Sequence, residues 1–199
     1  VWNSDHGYDK TIKAFERSLV NLQTDYLDLY LVHWPVVGKY KGTWRAMEDL
    51  YKQGRVRAIG VCNFLKHQLE DLMENAEVIP MVNQMEFHPF LVQQELIDFC
   101  QLHDIQYVAW SPLMQGKVFE LPEFQKLAKK YGKSIAQVVL RYDLQKGVAT
   151  IPKSSKEERI IANADLFDFE ISESDMNFID ALDRNYRTGP NPDNFEWSV

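Results

Sequence analysis

Polar side chains able to do chemistry stand directly after apolar runs at five places: His33, Cys62-Asn63, Gln84 with Glu86 and His88, Trp110-Ser111, and Lys153-Ser154. A neutral imidazole at His33 can donate a hydrogen bond to a carbonyl oxygen, or exchange a proton near neutral pH. A satisfied structural histidine is the competing reading. Asn63 and Gln84 each pair a donor with an acceptor, the combination that grips a planar carboxamide or ties down a loop. Trp110 offers a flat apolar face for an aromatic ring, and Ser111 with the backbone through Leu113 can approach a pyrophosphate; tryptophan also serves simply as packing. In the run from Ile151 to Arg159 a helix start carries Lys153, Ser154 and Arg159. Exposed amides beside Lys and Arg make an anion site of the kind a phosphate needs, or a solvated loop. His6, His67 and His103 have no metal-ligand spacing, so they read as surface or structural and no metal is expected.

The elements that must hold these groups follow from periodicity. Asp9 reads as the N-cap of a helix with Ile12, Phe15, Leu19 and Leu22 on one face. Tyr26 to His33 has no helical repeat and stops at Trp34-Pro35, as a buried strand would. The pattern then repeats: a helix from Thr43 to Gln53, a strand from Val56 to Asn63, a helix from Lys66, a strand from Met81 to Glu86, a helix from Leu91 to Leu102, and a strand from Ile105 to Trp110. Two helices, Phe124 to Lys130 and Ser134 to Leu144, precede a short strand from Val148 to Pro152. A helix from Glu157 to Ala162, a last strand from Asp165 to Phe169, a helix capped by Ser172 and a loop-like tail from Arg187 to Val199 complete the chain.

Strands alternating with helices at this pace require right-handed crossovers and a parallel sheet covered by helices. In such folds chemistry gathers beyond the C-terminal ends of the strands, where the polar groups above fall. A doubly wound sheet and a closed barrel both satisfy the alternation. No GxGxxG follows any strand, which weakens the open-sheet reading. About six strands are countable, against the eight of a barrel of roughly 250 residues. Since Val1-Trp2-Asn3 reads as the end of a strand, the expectation is an α/β fold, a (β/α)8 TIM barrel whose N-terminal strand or strands and helix are absent from this chain.

With 199 residues and 45% hydrophobic composition, one domain spanning 1–199 is expected. The net charge of −7 gives no general attraction to nucleic acid or anionic lipid. Cys62 and Cys100 sit in apolar runs without a CxxC pair, which suits buried thiols in a reducing cytoplasm. Apolar stretches broken by Asp28, His33 or Gln84 fall short of the roughly 20 residues that cross a bilayer.

Taken together, these residues resemble the aldo-keto reductase family, in particular its bacterial branch of 2,5-diketo-D-gluconate and glyoxal or methylglyoxal reductases. Asp25-Tyr26-Leu27-Asp28-Leu29-Tyr30-Leu31-Val32-His33-Trp34-Pro35 is similar to the family's central signature, and Ile151-Pro152-Lys153-Ser154 with Arg159 to its C-terminal one. Val82-Asn83-Gln84, Ala109-Trp110-Ser111-Pro112-Leu113 and Leu140-Arg141 fall in the expected order between them. The resemblance implies NADPH, or NADP+, bound across the C-terminal rim of the barrel, and hydride transfer to small aldehydes, α-dicarbonyls or keto sugars. Of the family's catalytic tyrosine, lysine, aspartate and histidine, only the histidine carries over, onto His33; the resemblance puts the other three before Val1. It assigns Trp2, His33 and Trp34 to the substrate, and Asn63 and Gln84 to the carboxamide, with Cys62 standing where the family usually has Ser. Trp110 would stack on the nicotinamide, and Ser111, Leu113 and Gln115 would lie along the pyrophosphate. Lys153, Ser154 and Arg159 would grip the 2′-phosphate and Asn163 would lie near the adenine, next to Ala162 where a Glu is common. A small-molecule carbonyl substrate, a monomeric state and no nucleic-acid or membrane partner complete the expectation. A catalytically incomplete NADP-binding or structural remnant of the same fold is the alternative, and the 199 residues alone are expected to be inactive.

Overall fold

In the computed structural model, which describes residues 1–195, the apolar runs become strands and the segments of helical period become helices. β1 (Leu27–Val32), β2 (Val56–Cys62), β3 (Val82–Glu86), β4 (Gln106–Trp110) and β5 (Ala149–Thr150) alternate with helices. These are α1 (Tyr8–Leu22), α2 (Tyr40–Lys52), α3 (Lys66–Met73), α4 (Gln94–Leu102), α5 (Pro122–Tyr131), α6 (Ile135–Gln145), α7 (Glu157–Ala164) and α8 (Glu173–Asp180). The strand order is β1-β2-β3-β4-β5, the order of the chain, and the pairing is parallel. Parallel strands in chain order joined by helices are the repeating unit of the (β/α)8 fold, as the sequence leads one to expect. Among the described residues no helix is long and apolar enough to cross a membrane.

Packing divides the chain into two compact units: Val1–Gln84, Asp98–Gln106 and the residues from Asn191 onward in the first, and Met85–Ile97 with Tyr107–Pro190 in the second. In the first, Leu27 of β1 lies opposite Val56 of β2 and Val32 opposite Val61. A Cβ at Gly60 would come within 2.6 Å of the Val82 carbonyl oxygen, so a residue without a side chain lets β2 and β3 approach. Helix α2 buries Trp44, Met47 and Leu50. The Trp44 indole N–H donates to the Val78 carbonyl at 3.0 Å, and one turn on the Glu48 carboxylate accepts the N–H groups of Glu77 and Val78 at 2.7 and 2.8 Å. The same helix therefore fills the core and satisfies backbone groups of the loop between α3 and β3.

In the second unit the Phe87 ring lies 5.9 Å from both Tyr107 and Tyr142. Helix α6 starts with a capping box at Ser134, which the sequence pattern reads as the first residue of the helix: its hydroxyl accepts the Gln137 N–H at 3.2 Å, and the Gln137 side chain accepts the Ser134 N–H at 3.1 Å. Asp143 on α6 is fully buried, and neither its carboxylate oxygens nor the Thr150 hydroxyl beside it reach hydrogen-bond geometry among the described residues. Burial pushes the Asp143 pKa well above the ordinary carboxylate value. A raised folded pKa gives stability that is full below the unfolded value of about 3.9 and is lost as pH rises toward the folded one. Asp143→Asn abolishes that titration. Its Tm relative to wild type is expected to be more favourable near pH 7 than near pH 4, because wild type loses about 1.4 kcal/mol per pH unit within the window. A Tm difference independent of pH would contradict a buried neutral acid.

Several boundaries differ from expectation. The N-cap of α1 is Gly7, whose N–H donates to the Thr43 hydroxyl at 2.9 Å; Asp9 sits in the first turn, where its charge favours the helix dipole. Leu22 is 64% exposed rather than inward. Helix α4 begins at Gln94, not Leu91, because Leu91 is held in a bridge with His88. The strand expected from Asp165 to Phe169 does not form: Phe167 is 79% exposed and the Asp168 carboxylate turns out to Lys133 at 2.6 Å. The described residues hold five strands, and β5 keeps only two of the five residues expected for it. Two 3-10 turns, Asn3–Asp5 and Met114–Glu120, were not expected. The tail is loop-like as far as residue 195, and its last four positions, 196–199, lie outside the described residues.

Candidate functional site

In the first unit the candidates gather at the C-terminal ends of β1, β2 and β3. His33 directly follows β1; its N–H donates to the Val1 carbonyl at 3.0 Å, and its own carbonyl accepts the Asn63 side-chain N–H at 3.0 Å. The ring has Trp2 edge-on at 4.8 Å and Trp34 nearly parallel at 6.3 Å. Trp34 is buried and stacks on Phe195 at 4.7 Å, while Trp2 is 52% exposed. Although His33 is exposed by surface area, the groups around it desolvate the imidazole and hold its pKa below the usual value. A neutral ring with no hydrogen bond among the described residues keeps one N–H available to an acceptor oxygen.

Asn63 follows β2 with φ of 63°, and its backbone N–H donates to the Gln84 carbonyl at 2.9 Å. Its backbone thus ties the ends of β2 and β3 together, while its side chain reaches the His33 carbonyl after β1. The Gln84 side chain is half-buried and makes no hydrogen bond among the described residues, which leaves a whole carboxamide to a ligand. The Cys62 thiol is buried and pushed up to about 12 by desolvation, so it contributes packing and a weak S–H donor.

The second unit brings seven candidates onto one open cavity of about 730 Å³: Ser111, Leu113, Gln115, Lys153, Ser154, Arg159 and Asn163. Phe119, Ser134 and Glu158 also line it and were not anticipated. Trp110 stands outside the lining, at the end of β4, half-buried. Ser111 and Gln115 have φ of 56° and 55°; with Asn63, three of the eight non-glycine residues at positive φ among the described residues are candidates. Such backbone costs about 1–3 kcal/mol per residue and collects where a ligand must be met. The Ser154 hydroxyl accepts the Lys156 N–H at 3.2 Å, turning the chain into α7, whose N-cap residue Lys156 offers no side-chain cap. Free helix N–H groups, with Lys153 and Arg159 lacking a carboxylate partner among the described residues, form a positive cradle, opposed on the lining only by Glu158.

Two features of the tail were missed, Phe195 against Trp34 and Thr188 against Ser111 and Gln115, with the Thr188 hydroxyl 3.4 Å from the Ser111 hydroxyl. The tail has no periodicity to read, and its one signal is an aromatic residue soon after Pro190 and Pro192. No group of three His, Cys, Asp or Glu among the described residues is arranged to hold a metal ion.

Residues 1–184 match the profile of the Aldo/keto reductase family. The chain is 60% identical over 197 residues to the uncharacterized oxidoreductase YtbE of Bacillus subtilis (strain 168), covering 99% of the chain and 70% of that protein. To the glyoxal reductase of the same organism it is 61% identical over 193 residues, covering 97% of the chain and 70% of that protein. Among solved structures, a mutant of Gox0644 in complex with NADPH superposes with a TM-score of 0.95 at 40% identity, over 99% of this chain and 74% of that one. With a family profile matched over nearly its whole length, this chain belongs to the aldo/keto reductase family.

Proposed function

We propose that this chain is the greater part of an NADPH-dependent reductase that converts small aldehydes, α-dicarbonyls or keto sugars to alcohols, within a single domain spanning 1–199. The observation that carries the reading is the cavity lined by Ser111, Leu113, Gln115, Lys153, Ser154, Arg159 and Asn163, with two cations that have no carboxylate partner among the described residues. Lys153 and Arg159 match the extra charge of a 2′-phosphate, the group that separates NADPH from NADH. In the second unit Ser111, Leu113 and Gln115 would hold the pyrophosphate side, Asn163 would lie near the adenine and Trp110 would stack on the nicotinamide; in the first unit Asn63 and Gln84, with Cys62 next to Asn63, are the residues proposed for its carboxamide. NADPH, when bound, supplies the hydride. His33 holds the carbonyl oxygen by donating an N–H where negative charge develops, and Trp2 and Trp34 wall the substrate. A relative named glyoxal reductase and a structural neighbour solved with NADPH support both substrate class and cofactor.

The net charge of −7 disfavours nucleic-acid partners, two free buried cysteines suit the cytoplasm, and a monomer is the proposed state. The chain spans about 70% of the length of the curated relatives it matches, so the test takes the full-length protein. NADPH oxidation is followed with glyoxal, methylglyoxal, a keto sugar and a simple aldehyde. Turnover with at least one, faster with NADPH than with NADH, is expected; absence of oxidation with every carbonyl defeats the reading.

A further inference from the structure

Residues 184–190 form a strap across the second unit, and its centre is held by one buried carboxylate. Glu86, at the end of β3, is fully buried. Its Oε1 accepts the Thr188 N–H and hydroxyl, both at 2.5 Å, and the Gly189 N–H at 3.1 Å. His88 is also fully buried: its Nδ1 accepts the Phe90 N–H at 3.3 Å, which leaves the proton on Nε2 to donate to the same Glu86 oxygen at 3.2 Å. Burial alone would raise the Glu86 carboxyl; the hydrogen bonds from His88 and Thr188 outweigh it and hold it below the usual glutamate range. Glu86 is therefore an ionised acceptor, and hydrogen bonds to it are of the strong, charge-assisted kind.

The strap in turn touches cofactor candidates. A Cβ at Gly189 would fall 2.4 Å from Cη2 and 3.1 Å from Cζ3 of Trp110, so the indole rests directly on strap backbone. Thr188 meets Ser111 through its hydroxyl, and its carbonyl accepts a long contact from the Gln115 amide at 3.5 Å. Outside these, Arg184 and Tyr186 donate backbone N–H groups to the Phe90 carbonyl at 3.2 and 2.9 Å, and Arg187 reaches the Gln93 side chain at 2.8 Å. One carboxylate thereby fixes the height of the backbone on which a proposed stacking residue and two proposed pyrophosphate residues depend.

We infer that Glu86 is a positioning residue for the cofactor: by pinning Thr188 and Gly189 it sets the plane of Trp110 and the placement of Ser111 and Gln115. The inference rests on the NADPH reading above. A residue of general structural value would change the amount of active protein, whereas a positioning residue changes the affinity of one ligand. The experiment measures NADPH Kd by tryptophan quenching, and KM for NADPH and for the carbonyl, in full-length wild type, Glu86→Gln, Thr188→Val, Gly189→Ala and Lys153→Ala. Loss of one charge-assisted hydrogen bond predicts a rise of about tenfold in Kd and KM for NADPH in Glu86→Gln and Thr188→Val, with the carbonyl KM within about twofold. Gly189→Ala is expected to act likewise by lifting the indole. Thr188 is only half-buried, so Thr188→Val decides the matter even if Glu86→Gln folds poorly. Wild type that fails to bind NADPH sinks the parent reading. Wild type that binds it, with Lys153→Ala weakened and the three strap variants unchanged, overturns this inference alone.

Discussion

His33→Ala in the full-length protein is expected to lower kcat/KM for the carbonyl by about 10²- to 10³-fold, the usual cost of removing a donor aimed at a developing oxyanion. The NADPH Kd should stay within about twofold, since an interaction made at the reacting oxygen is not made by the cofactor alone. The backbone of His33 is gripped on both sides, by the Val1 carbonyl and by the Asn63 amide, and Trp2 and Trp34 flank its ring. Those contacts hold the position of the ring before substrate arrives, and preorganisation of this kind makes a donor effective. Burial lowers the imidazole pKa, so the ring is neutral above about pH 6.5, and the kcat/KM profile from there to pH 8 should carry no step from His33. The measurement is steady-state kinetics with one carbonyl across that range. A variant with kcat/KM within threefold of wild type would remove His33 from the chemistry.

Removing both cations of the cradle, Lys153→Ala with Arg159→Ala, is expected to raise the NADPH Kd by about 10²-fold while NADH changes little, each charge-assisted contact to a phosphate being worth roughly tenfold. Both side chains are exposed, so part of their effect is screened, and wild-type affinity for NADPH should fall with added salt. In the double variant that salt dependence should flatten. Calorimetry with both cofactors at low and high ionic strength measures all of this. Equal losses for NADPH and NADH would mean that the two cations hold the loop rather than the phosphate.

Much of this architecture can be read from local pattern, and the failures have local reasons. Helix α6 announces itself through Ser134, Gln137 and the buried face Val138, Val139 and Tyr142, so pattern and capping agree. The run from Asp165 to Phe169 has strand-like composition, but Lys133 draws Asp168 outward, which no single-sequence pattern encodes. The site divides in the same way. His33, Asn63, Gln84 and Ser111 were legible because parallel folds gather polar groups just past strand ends. Glu86 was visible as one of those groups, yet its role was not, because its partner Thr188 lies 102 residues away in a tail without periodicity. Phe195 escaped for the same reason: a stacking partner supplied by a loop leaves no repeat to count.

The sulfur chemistry of the folded chain follows from its two cysteines. Burial raises Cys62 to about 12 and Cys100 to about 11, so almost no thiolate exists at physiological pH. Peroxide and alkylating agents react with the thiolate, and both sulfurs are shielded from solvent as well. An oxidative burst therefore meets almost no thiolate at Cys62, at the end of β2, or at Cys100, within α4, and sulfenylation or glutathione capping of these two thiols is disfavoured while the fold stays closed.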